Sequence, residues 1–93
     1  MKLDISEIPV TFIQCEIDII FRKMKRGAKL RVTCPDLKKV ANIPDVYARF
    51  YKQKGLIGGY DEYMLTQILK YAGFRKIKRV PTAGLQLCMD GLR

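Results

Sequence analysis

The sequence predicts an α/β domain with a small mixed four-stranded sheet and helices mainly on one face. Three observations lead there. Lys29 to Cys34 alternates strictly between polar and apolar residues, the signature of a half-buried strand. Glu62 to Ala72 carries Met64, Leu65, Ile68, Leu69 and Ala72 at helical spacing, between Asp61 as a cap and Gly73 as a stop. Arg75–Val80 and Leu85–Met89 flank Pro81-Thr82-Ala83-Gly84, which is the pattern of a hairpin.

The remaining elements follow in order. Leu3 to Ile8 alternates and reads as a short strand ended by Pro9. From Val10 to Lys25 the residues Ile13, Ile17, Ile20, Phe21 and Met24 recur at helical spacing, with Thr11 as the expected cap and Gly27 as the stop. The β-branched content of this stretch leaves a strand over 10–14 as the competing reading. After the strand at Lys29–Cys34, Pro35-Asp36 forms its end, and Asp36 can cap a short helix at Leu37–Ala41. Pro44 suits the first turn of a further helix over Asp45–Gln53, which would bury Val46, Tyr47, Phe50 and Tyr51. Lys54 to Tyr60 reads as a glycine-containing loop. It lacks the preceding strand and the following Lys-Ser/Thr of a phosphate loop. Strand, helix, strand, helices and hairpin in this order give one domain over residues 1–93 and the sheet order 1-2-4-3. One face and one edge of such a sheet stay open, so a homodimer through either is expected.

Composition narrows the chemistry. The 93 residues hold no His and no Trp, which removes His-based acid–base relays, Ser-His-Asp and Cys-His systems, and His metal ligands. Three cysteines, Cys15, Cys34 and Cys88, form no C-x-x-C pair. They read as reduced, mostly buried thiols of a cytoplasmic protein, with no metal site. No apolar run is long enough for a membrane span. Eighteen Lys plus Arg against nine Asp plus Glu give a formal charge of +9, which suits a polyanionic partner.

Two stretches carry a resemblance. Phe21-Arg22-Lys23-Met24-Lys25-Arg26-Gly27-Ala28-Lys29-Leu30-Arg31-Val32-Thr33-Cys34-Pro35-Asp36-Leu37 resembles the helix, turn and fifth strand of class I S-adenosylmethionine-dependent methyltransferases. The family pattern there is roughly R-x-L-K-P-G-G-x-L-R-x-x-V-P-D-L. Tyr60-Asp61-Glu62-Tyr63-Met64-Leu65 through Ala72-Gly73-Phe74 resembles the family's helix before its final hairpin. Arg26 stands where the family has Pro, and Ala28 where it has a second Gly. The resemblance implies the C-terminal, substrate-side half of a methyltransferase fold. The chain has no G-x-G motif, which the family uses to grip its cofactor. The isolated chain is therefore expected to hold no cofactor and to methylate nothing alone. S-adenosylmethionine would bind only in an assembled oligomer. In the family, the loop corresponding to Pro35 and Asp36 borders the substrate.

Two other classes fit the same plan. A nucleic-acid-binding domain would use a basic rim of Lys23, Lys25, Arg26, Lys29, Arg75, Lys76, Lys78 and Arg79 on phosphates. The chain's order of elements is similar to the C-terminal domain of bacterial translation initiation factor three, which is also basic. Small sulfur-carrier proteins share the plan too. They place a Cys-Pro pair at the first helix, whereas here Ile8 precedes Pro9 and Cys15 falls later, in mid-helix.

Overall fold

The computed structural model describes residues 1–6, 8–41 and 60–93. The expected helix over 45–53 and the glycine loop over 55–59 lie outside the described residues. Four strands form one sheet in the order β1-β2-β4-β3. They are β1 (Lys2–Asp4), β2 (Lys29–Pro35), β3 (Arg75–Val80) and β4 (Gln86–Leu92). β1 runs parallel to β2, while β4 is antiparallel to both β2 and β3. The helices are α1 (Ile13–Lys23), α2 (Leu37–Ala41) and α3 (Glu62–Ala72). The expected fold class and strand order are those observed.

Side-chain alternation divides the sheet into two faces. Leu30, Val32 and Cys34 of β2 point into the core, as do Leu87 and Met89 of β4. Ile13 and Ile17 of α1, Leu65 and Leu69 of α3, and Phe74 close that core from the helix side. The two helices are also tied by Gln14, whose Nε2 donates to the Ile68 carbonyl at 3.0 Å and to Asp18 Oδ1 at 3.1 Å.

Several boundaries differ from the sequence expectation. β1 ends at Asp4 because the chain turns there: Ser6 N donates to Asp4 Oδ1 at 2.9 Å, and Ile8 N to the Ile5 carbonyl at 3.1 Å. The first helix opens with a 3-10 turn, Val10–Phe12, closed by Phe12 N on the Pro9 carbonyl. Phe12, not Thr11, is the N-cap, and no side chain caps it. β2 includes Pro35, which pairs with Gln86 as the last step of the ladder. Proline has no N–H to give and stands at the last rung, while its carbonyl accepts from Tyr60 N at 3.2 Å.

The largest difference is β4. It continues to Leu92 through Asp90-Gly91, a dipeptide that looks like a turn. Both residues have specific partners in the sheet. Asp90 stands opposite Arg31, and Gly91 lies under the Phe74 side chain. A Cβ on Gly91 would meet Phe74 Cβ at 3.2 Å, so the packing of Phe74 needs a bare backbone there.

α3 is bounded as its sequence predicts. Asp61 Oδ1 accepts from Met64 N at 2.7 Å. Gly73 ends the helix at φ 113°, with Phe21 Cζ 2.9 Å from where a Cβ would sit. Phe21 and Phe74 meet edge to face at 4.9 Å, joining the end of α1 to the start of β3.

Candidate functional site

The two parallel strands point their carboxyl ends at the same end of the sheet, where ligands sit in open α/β folds. At that end Asp36 is buried, 3% exposed, immediately after β2. Its carboxylate is committed twice. Oδ1 accepts from Lys38 N at 3.1 Å, opening α2, and Oδ2 accepts from Arg79 Nη2 at 3.1 Å. Its own N–H donates to the Leu85 carbonyl at 2.8 Å. A parallel bridge between Asp36 and Tyr60 adds Leu37 N on the Tyr60 carbonyl at 3.2 Å. Asp36 thus fastens β2, α2, Tyr60 and the β3 edge at one point. Pro35 lies beside it, half-buried, at the last rung of the β2–β4 ladder.

The basic residues named from sequence separate into two groups. Arg79 reaches the Asp36 end. Lys29 and Arg75 stand at the opposite end, both paired to Leu92 across the sheet. Arg26 and Arg75 line one cavity there, and Lys29, Lys76 and Lys78 line a second. Lys23 closes α1, and Lys25 follows it, both exposed.

Asp90 is the polar residue that sequence reading missed. It is 2% exposed, on the face away from the helices. Arg31 grips it with both arms, Nε to Oδ1 at 2.8 Å and Nη2 to Oδ2 at 3.0 Å, and Lys29 Nζ stands 3.5 Å from Oδ2. The Arg31 hydrogen bonds hold the Asp90 carboxyl below the usual carboxylate range, against the opposing effect of desolvation. The signal was present in the alternation of Leu87, Met89 and Gly91 with Cys88 and Asp90, had β4 been extended.

The cysteines differ from one another. Burial pushes the Cys34 thiol up to about 12, so it is a neutral core group at ordinary pH. Burial raises Cys88 as well. Two of the three thiols are buried, as expected of most of them, while Cys15 is exposed and sits in the first turn of α1 and not in mid-helix. Among the described residues, no group of three His, Cys, Asp or Glu side chains could hold a metal ion. No described helix is long and apolar enough to cross a membrane.

The fold is similar to that of S-adenosylmethionine-dependent methyltransferases. Over 99% of this chain it matches the solved structure "PigF with SAH", with a TM-score of 0.76 and 15% identity. Over 99% of the chain it also matches a "putative O-methyltransferase" from Nostoc punctiforme, with a TM-score of 0.72 and 15% identity. The chain spans 29% and 30% of the lengths of those two proteins. No family model and no curated protein matches it. The likeness is one of fold: the 93 residues take the shape of about three-tenths of a methyltransferase.

Proposed function

We propose that this chain is the C-terminal, substrate-side portion of a methyltransferase-type fold, catalytically silent as a lone chain. It acquires a cofactor site only when further strands are added along β1. The observation that carries this reading is the sheet itself. Its order β1-β2-β4-β3 ends in an antiparallel pair, and β1 is a three-residue parallel strand paired only to β2 among the described strands. In the resembled family the first strand lies against the strand that β1 corresponds to, and it carries the Gly-rich cofactor loop.

The residues present do not fit S-adenosylmethionine by themselves. The carboxylates at the carboxyl ends of β1 and β2 are already engaged, Asp4 by Ser6 N and Asp36 by Lys38 N and Arg79. No Gly-rich strand-to-helix loop occurs in the sequence. Asp36 and Pro35 therefore act as the floor and fastening of a substrate-side loop. A second copy of this chain, or another polypeptide, supplies the cofactor side.

Isothermal titration with S-adenosylmethionine and S-adenosylhomocysteine, with the solution mass measured in the same run, tests the reading. A monomer should not bind, and an assembled species should. Binding by a monomer overturns it. Absence of binding by every assembled species leaves fold ancestry alone and removes the functional reading.

A further inference from the structure

The end of the sheet opposite Asp36 gathers cationic side chains around two cavities. Arg26, Arg75 and Arg93 line a cavity of about 420 Å³ together with Phe21 and Gly73, and among the described residues no acidic side chain lines it. Two of these arginines are held in place. Arg93 Nη1 donates to the carbonyls of Met24 and Arg22 at the end of α1, and its guanidinium lies 4.8 Å from the centre of the Phe21 ring. Arg75 Nε donates to the Arg93 main-chain oxygen at 3.3 Å. Arginines fixed in this way lose little freedom when they close on an anion, and their planar forks match phosphate oxygens.

A second cavity of about 310 Å³, lined by Lys29, Lys76 and Lys78, lies on the neighbouring part of the same end. The two are joined through the row Lys29, Leu92 and Arg75. Asp90 also lines the second cavity, but Arg31 and Lys29 already balance its charge. A β-bulge between Arg75 and Lys78 places Lys76 out of the regular ladder.

We propose that this end of the sheet is a phosphate-binding site, and that its ligand is the phosphodiester backbone of a nucleic acid. The arginine cavity takes one phosphate and the lysine cavity a following one. Two adjoining cationic hollows on a chain of net charge +9 suit a ligand with repeated phosphates better than a single anion. The site lies at the amino end of β2, seven residues of strand away from Asp36, so it stands independently of the methyltransferase reading.

Fluorescence anisotropy with a labelled single-stranded RNA, repeated with inorganic pyrophosphate as the only ligand in a calorimeter, tests the proposal. The RNA should bind at about 50 mM salt and lose affinity steeply by about 200 mM. Arg26→Glu and Arg75→Glu should each weaken binding about tenfold. Lys38→Glu, an equal charge change on α2 at the far end, should alter it about twofold or less. Pyrophosphate binding that Arg26→Glu abolishes keeps the phosphate site and assigns it to a free ligand in addition. No binding of either ligand at low salt, or equal losses from Lys38→Glu and Arg26→Glu, overturns the site.

Discussion

On the helix side of the sheet, Leu30, Val32 and Cys34 of β2 stand beside Leu87 and Met89 of β4, every one of them buried. On the other side the same two strands present Arg31, Thr33, Cys88 and Asp90. The first face is held by volume: five side chains of two strands packed under α1, α3 and Phe74. The second carries a bidentate ion pair between neighbouring strands, with Lys29 beside the same carboxylate. The difference shows two ways in which one sheet keeps its faces stable. The apolar face is covered by described side chains of α1, α3 and Phe74. On the polar face the buried Asp90 carboxylate is matched by Arg31 and Lys29, so its charge is not left uncompensated.

The comparison breaks most sharply at Leu30. Leu30→Ala removes a fully buried side chain at the middle of the sheet and should cost about 2–5 kcal/mol. Thr33→Ala, one strand position class over on the polar face, should cost about 1 kcal/mol or less. Urea denaturation of both variants measures the pair. Equal losses would mean that the two faces contribute alike and that the division drawn from alternation is wrong.

Much of that division was legible in the sequence. Lys29–Cys34 alternates so cleanly that its faces could be assigned without coordinates, and α3 announced both its ends through Asp61 and Gly73. What was not legible came from contacts distant in sequence. Asp90-Gly91 reads locally as a turn, whereas pairing with β2 and β3, the Arg31 fork 59 residues away and the Phe74 side chain place it in a strand. The Thr11 cap failed for a local reason. Pro9 offered a main-chain acceptor that made a side-chain cap unnecessary. At the candidate site, Pro35 and Asp36 could be found from the strand end. Sequence alone could not say that Arg79 would leave the basic cluster to pair with Asp36.

Asp90→Asn sharpens the comparison from the polar side, with a smaller effect than Leu30→Ala. In the folded protein Arg31 lowers the pH at which Asp90 takes up its proton, relative to the unfolded chain. The stabilisation is therefore complete above the ordinary carboxylate range near about pH 4 and is lost as the pH falls through the lower, folded value. Denaturation midpoints measured from neutral to acidic pH should show a steep acid loss in the parent protein. The slope should be shallower in Asp90→Asn, which starts from a lower stability at neutral pH. Parallel curves for the two proteins would show that the ion pair adds nothing to the polar face.

Lys76 gives the smallest effect, and one of opposite sign. It holds φ at 51°, a left-handed backbone, at the bulge where Arg75–Lys78 of β3 faces Asp90–Leu92 of β4. A side chain costs about 1–2 kcal/mol in that conformation, and glycine adopts it freely. Glycine also gains freedom in the unfolded chain, so Lys76→Gly should stabilise by a net amount of about 0.5–1 kcal/mol. Lys76→Ala removes the same charge but keeps the strain, and should bring no gain. Urea midpoints for the two variants separate backbone from charge. If they coincide, the bulge is not strained at Lys76, and the edge strand holds its shape through the Arg75 and Lys78 pairings alone.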